Sequence, residues 1–357
     1  MFDIIVVGGG PAGATLARLL GKKYKILLLE KRAFEEDKTD HIKSCGGLIA
    51  PDAQLMLAKF GLGIPKPVLL SPQLFAVRTI DIDNSLERYY QRHYINVDRE
   101  KFDRWLAELI PKKVKIINNC IYKSFEERDD KVVVNYSYNG RKKEAKAKIL
   151  VGADGAFSKV RRQVSNFDPS PQLYIAIQEW FKSDRPLDYY GAIFDSEITS
   201  FYSWTIPKEG YLILGSALKP KDRVNQKFNL LKQKMKNHGF KFEKSIKLNG
   251  SYLYRPLSNK QISIGYKRVA LIGEAAGFIS PSSAEGLSYA FKSSLALTKA
   301  LKNDIDDYHA QYTRNLKPLM QNILWKNTKS IAMYNNFLRK IVMKTGLLSI
   351  KSERIEY

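Results

Sequence analysis

Six residues near the amino terminus, Gly8-Gly9-Gly10-Pro11-Ala12-Gly13, have the types and spacing needed to hold a pyrophosphate. Gly8, Gly10 and Gly13 satisfy G-x-G-x-x-G after an apolar run and at the start of a helical pattern. Gly8 permits the tight turn, Gly10 lets backbone approach the phosphates, and Gly13 lets helix and strand pack closely. Pro11 and Ala12 open a helix whose first N–H groups have no acceptor within it and suit an anion. Glu30 stands 22 residues after Gly8, at the end of the next apolar run. A carboxylate there, with Lys31 beside it, accepts hydrogen bonds from an adenosine ribose, and its charge argues against a 2′-phosphate. NAD and FAD satisfy this pattern equally.

Two later segments have the same build. "ILVGADGAFSKVRR" runs from an apolar stretch through Gly152-Ala153-Asp154-Gly155 to Ser158 and Arg161. "VALIGEAAGFISPSSAEGLSYAF" runs through Gly273-Glu274-Ala275-Ala276-Gly277 and Pro281 to a helix opening near residues 282–286. A long cofactor extended across one domain would gather contacts from positions this far apart.

Other residues suit a substrate. Cys45, one of two cysteines, precedes Gly46 and Gly47 in "HIKSCGG". The glycine pair lets the chain run close to a planar group. A thiol there is either a small buried hydrophobe or a group facing a cavity. In "FYSWTIP" strand alternation puts Tyr202, Trp204 and Ile206 on one face, with Pro207 ending the strand. Ordinary core packing also explains that alternation. Arg99 starts a helix, and Asp103 one turn on is the partner that would account for it without a cofactor.

Together these segments resemble the flavoprotein oxidoreductases with the aromatic-hydroxylase type of FAD fold, and within them the geranylgeranyl reductase group, over most of residues 1 to 300. The resemblance implies FAD. It puts the Asp154 turn over the pyrophosphate, Gly273 and Glu274 at the ribityl chain, the helix start at Gly286 and Leu287 toward the pyrimidine ring, and Arg99 at the cofactor. It also implies a substrate pocket with Gly46, Gly47, Trp204 and Pro281, and Cys45 and Tyr202 as candidate catalytic proton donors. Two departures stand out: the family usually has Asp where this chain has Glu274, and "SSAEG" replaces a more glycine-rich turn. "FYSWTIP" looks like that group's Tyr-x-Trp-x-Phe-Pro and like the Trp-x-Trp-x-Ile-Pro of flavin-dependent halogenases, with one difference from each. The activity implied is reduction of carbon–carbon double bonds in an isoprenoid or related lipid. The alternatives are a flavin-dependent monooxygenase or halogenase, and a non-catalytic flavin-binding lipid carrier or sensor. With no second nucleotide fingerprint, electrons would come from NAD(P)H docking transiently or from a small acidic redox protein.

The elements that must position these residues read as α/β: a Rossmann-like FAD-binding domain, an inserted antiparallel-sheet substrate domain and a helical carboxyl-terminal segment. The expected limits are 1–70 with 94–165 and 260–304 for the cofactor domain, 71–93 with 166–259 for the insertion, and 305–357 for the helices. Asp98 is the expected cap of a helix over 98–110.

Composition narrows the classes further. With 44% hydrophobic and 27% charged residues in 357, the chain is globular and long enough for two cores. No apolar run is long enough to span a bilayer, no leader pattern opens the chain, and two cysteines give neither a disulfide framework nor a metal spacing, so a cytoplasmic enzyme without metal is expected. The net charge of +23 comes from scattered lysines without a nucleic-acid motif. Nucleic acid is therefore not expected as a partner. An acidic redox partner, or peripheral contact of residues 315–357 with the inner face of a membrane, would suit the charge.

Overall fold

The computed structural model describes residues 1–33, 45–164, 170–184 and 187–350. His41 to Ser44 of the cysteine segment and residues 351–357 of the carboxyl-terminal segment lie outside the described residues. The chain forms two compact units: Met1–Ile42 with Glu100–Gln172 and Tyr254–Asn327, and Lys43–Arg99 with Leu173–Leu253 and Thr328–Tyr357.

The first unit is built on a parallel sheet. Phe2–Val7 lies between Ile26–Leu29 and Arg141–Gly152, and Val269–Leu271 and Lys115–Ile117 extend the sheet on either side. Phe2–Val7, Ile26–Leu29, Val269–Leu271 and the last four residues of Arg141–Gly152 are almost wholly apolar because both faces are covered. Ile4, Ile5, Val6, Ile26, Leu150 and Val151 have no exposed surface. The strand meander expected over 114–151 is present, with Cys120–Arg128 and Lys131–Tyr138 forming a hairpin on Arg141–Gly152. Helices Pro11–Leu20 and Leu287–Asn303 pack against each other.

The second unit holds an eight-stranded sheet in the order Ser245–Arg255, Gln172–Lys182, Tyr211–Leu218, Ser203–Lys208, Tyr189–Phe194, Leu74–Asp81, Leu86–Asn96, Leu48–Ile49. The sheet is mostly antiparallel, with one parallel pair between Tyr189–Phe194 and Leu74–Asp81. Helix Val224–Asn237 buries Phe228, Leu231 and Met235 against Ile177, Leu212 and Leu214 of the sheet. Two helices, Tyr308–Tyr334 and Asn336–Thr345, fill the carboxyl-terminal segment.

Two features differ from the sequence reading. Residues 45–70 and 94–99 belong with the second sheet, because Leu48–Ile49 pairs with Asn96 and Ile95 at the end of Leu86–Asn96. Pro207 lies inside its strand, opposite Leu212. The neighbouring strand Tyr189–Phe194 reaches only to Thr205, so at Pro207 this side is an edge and the missing N–H costs no ladder bond.

Candidate functional site

In the first unit the glycine turns converge. Each follows the carboxyl end of a strand, and the strands Val269–Leu271, Arg141–Gly152, Phe2–Val7 and Ile26–Leu29 are neighbours in the sheet. Parallel sheets bind ligands at these ends. A Cβ on Gly8, where φ is +102°, would lie 2.5 Å from the Ala153 carbonyl oxygen, and one on Gly13 would lie 1.9 Å from the Gly8 carbonyl oxygen. A Cβ on Gly273 would meet that of Ala12 at 2.9 Å, and Ser294 Oγ donates to the Ala12 carbonyl at 2.8 Å. All three turns are therefore in contact. A buried Arg161 joins two of them, with Nη2 donating to the Gln261 carbonyl at 2.8 Å and Nη1 to that of Ala275 at 3.4 Å.

FAD fits the groups present. Helix Pro11–Leu20 has no side-chain cap and no acidic residue in its first turn, so its leading N–H groups remain for an anion. A Cβ on Gly10 would meet only Arg32 Nη2, at 4.0 Å, which leaves room where the phosphates approach. Glu30 is buried beneath the turn and its Oε2 accepts the Gly9 N–H at 2.5 Å. The cation serving it is Arg32 and not the exposed Lys31. Arg32 Nε donates to Glu30 Oε1 at 3.0 Å and Nη1 to Asp103 Oδ2 at 2.7 Å. These two carboxylates raise the guanidinium's pKa against the opposing effect of burial.

Four of the expected contact positions are already engaged within the protein. The Asp154 carboxylate is engaged within its own turn, accepting from Ser158 Oγ at 2.5 Å and from the Lys159 and Val160 N–H groups at 2.7 and 3.3 Å. Burial raises its pKa and those bonds oppose the rise. What this turn offers a pyrophosphate is therefore backbone. Glu274 Oε1 accepts the Tyr254 N–H at 3.1 Å, which anchors the longer side chain, and Pro281 lends its carbonyl to Arg255 Nε at 3.0 Å. Gly286 and Leu287 do stand at a helix start, but Glu285 already sits there, accepting the Ser288 N–H at 2.7 Å and Oγ at 2.6 Å.

The second unit gathers a different set. Gly47, with φ at +62°, approaches so closely that a Cβ would fall 2.4 Å from the Val97 carbonyl oxygen and 2.7 Å from Lys208 Nζ. Only glycine fits. The turn presents Cys45, whose Sγ lies 3.1 Å from Arg99 Nη1. A guanidinium at that distance favours the thiolate. Lys208, at the end of the "FYSWTIP" strand, is buried, with Nζ donating to Asn96 Oδ1 at 2.5 Å, the Val97 carbonyl at 2.9 Å and the Gly47 carbonyl at 3.3 Å. Burial lowers its pKa from 10.5 to about 7, against the charges of Cys45 and Asp98.

Tyr202 and Trp204 are both buried, their rings 5.7 Å apart. Tyr190 is hydrogen-bonded to Tyr202, and burial raises the pKa of both phenols. Arg32, Lys208, Asn96 and Tyr190 escaped the sequence reading. Arg32 alone had a local signal, in its place two residues after Glu30.

Relatives extend the picture. Over 349 residues the chain is 40% identical to protein CbrA of Escherichia coli O9:H4 (strain HS), covering 98% of this chain and 94% of that protein. The chain belongs to the CbrA family. Residues 6–34 of this CbrA-family chain match the NAD(P)-binding Rossmann-like domain. A geranylgeranyl bacteriochlorophyll reductase-like protein from Thermoplasma acidophilum, 21% identical, superposes with a TM-score of 0.81 over 96% of this chain and 90% of that one. A variant of the halogenase PltM in complex with FAD, 16% identical, gives 0.71 over 94% and 78%. The CbrA-family chain thus has the fold of FAD-dependent oxidoreductases. No helix among its described residues is long and apolar enough to cross a membrane.

Proposed function

We propose that the chain binds FAD and reduces carbon–carbon double bonds of an isoprenoid or related lipid. The observation that carries the reading is the Cys45 thiol 3.1 Å from the Arg99 guanidinium, on a turn that only glycine at position 47 can make. Gly8, Gly10 and Gly13 with the start of helix Pro11–Leu20 would hold the pyrophosphate, Glu30 the adenosine ribose, and Gly273 with Glu274 the ribityl chain. Reduced FAD, when bound, supplies a hydride to one alkene carbon. The other carbon needs a proton, and an isolated alkene has no carbonyl through which a residue could polarise it. Cys45 Sγ is the preferred donor, because Arg99 stabilises the thiolate left behind. Tyr202 is less suited, since burial disfavours its phenolate. The Gln178 amide, 3.5 Å from the Cys45 carbonyl, and Lys208 on the Gly47 carbonyl hold the turn in place.

Protein reduced anaerobically and mixed with polyprenyl lipids is expected to yield products heavier by two hydrogens in mass spectrometry. Turnover that requires oxygen would overturn the reading. It would favour the second one, a monooxygenase or halogenase, which the Tyr202-x-Trp204 spacing and the fold shared with PltM support. NAD(P)H and a small acidic redox protein are the proposed electron donors, to be compared as reductants of the bound flavin.

A further inference from the structure

Helix Asn336–Thr345 is built inside out. Its inward face carries Arg339, whose buried guanidinium donates through Nε and Nη2 to Asp81 at 2.8 and 2.9 Å and through Nη2 to Asp83 at 2.9 Å. Met343, one turn on, is buried beside it, and its carbonyl accepts from Arg88 Nε at 2.9 Å. With the polar anchor inside, the opposite face is left apolar. Phe337 and Ile341, spaced i and i+4, are 69% and 45% exposed, and Lys340 and Lys344 flank them. After Gly346 ends the helix, the turn carries Leu347 and Leu348, 61% and 85% exposed. Leu348 has φ at +61°, a left-handed backbone that bulky residues avoid. Ile350 then bridges to Tyr89, so the turn is tethered at both ends.

We infer that this face docks on an anionic lipid surface. Exposed phenylalanine and leucine side chains rimmed by lysine have the composition of an interfacial helix, apolar toward the acyl boundary and cationic toward the headgroups. Charge selects the occupant. The exposed cations of residues 328–350 are Lys329, Lys340 and Lys344, and those residues include no aspartate or glutamate. A second copy would bring the same lysines against themselves across a two-fold axis, which costs energy, whereas an anionic bilayer gains it. The inference does not rest on the reductase reading, since vesicle binding requires neither substrate nor turnover.

The test is co-sedimentation of the full-length protein with phosphatidylcholine vesicles, with and without phosphatidylglycerol. The wild type is expected to bind the anionic vesicles, less so as salt rises. Phe337→Glu combined with Leu348→Glu is expected to weaken binding at least tenfold, and Lys340→Glu with Lys344→Glu comparably, while both proteins keep the wild-type thermal midpoint. Failure of the wild type to bind anionic vesicles, or equal binding by the double variants, would overturn the proposal. So would a dimer in sedimentation equilibrium that Phe337→Glu dissociates, if no vesicle binding accompanies it, because that would make a second copy the occupant.

Discussion

Lys208→Met isolates the energetics of the group that secures the cysteine turn. In the native chain burial lowers the Lys208 ammonium's pKa to about 7, from 10.5 when exposed. Below about pH 7 both states are protonated, and the folded protein bears the full cost of a buried charge. Between about 7 and 10.5 the unfolded chain keeps a proton that the folded chain has released, so stability rises with pH by about 1.4 kcal/mol per unit. Going from about pH 7 to about pH 9, wild type should therefore gain about 2 kcal/mol over the methionine variant. Loss of the bonds to Asn96, Val97 and Gly47 adds an offset of about 1–3 kcal/mol for each acceptor left without a partner, but this offset does not vary with pH. The charged groups nearby, Cys45, Asp98 and Arg99, remain in both proteins. Urea unfolding followed by tryptophan fluorescence, with Trp180 and Trp204 reporting on this unit, gives the difference at each pH. A constant difference across that range would refute the reasoning. It would mean that three oxygen acceptors within 3.3 Å hold the proton on Lys208 despite its burial.

Gly13→Val places a branched side chain against the Gly8 carbonyl and must push the helix from the strand. The purified variant is expected to retain FAD at least about tenfold more weakly in equilibrium dialysis, a loss of about 1.4 kcal/mol or more. Arg99→Met removes the guanidinium beside Cys45 and should slow alkylation by iodoacetamide at neutral pH by roughly tenfold, or about 1.4 kcal/mol in thiolate stability. The assay reads Cys45 alone, because Cys120 is buried and its pKa is pushed up to about 11 by burial and by Glu30. Arg339→Met leaves the buried Asp81 carboxylate without its guanidinium, and a stability loss of about 3–5 kcal/mol is expected in thermal or urea unfolding.

The cofactor side was legible because its signals are local. A glycine triplet after an apolar run already contains the strand, the turn and the start of the helix. Three such turns meet because parallel strands place their carboxyl ends along one edge. The surroundings of the cysteine turn depend on strand pairing that no short segment announces. Leu48–Ile49 joins Leu86–Asn96, which draws the cysteine turn into the second unit and sets Gly47 against Val97. Lys208 follows Pro207 in sequence as an ordinary strand-end lysine. Its burial appears only when the end of Leu86–Asn96 folds beside it. The inverted helix Asn336–Thr345 was hidden for the same reason, since the acids that hold Arg339 lie more than 250 positions earlier in the chain.

Under the proposed function the two sides divide the work in a physically sensible way. Backbone groups and small residues make the cofactor edge, so it can accept a nucleotide without committing to any one reaction. Under the proposed function it is the second unit that commits. Asn96 and Val97 hold Lys208, Lys208 holds the Gly47 carbonyl, and two residues before Gly47 Cys45 meets Arg99. Every link in that chain is a hydrogen bond of 3.3 Å or less apart from the glycine turn itself. If the reaction is chosen here, Gly47→Ala, which cannot keep both φ and the Val97 contact, should abolish turnover while FAD is still bound. Loss of turnover together with loss of the flavin would place the choice of chemistry with the cofactor edge instead.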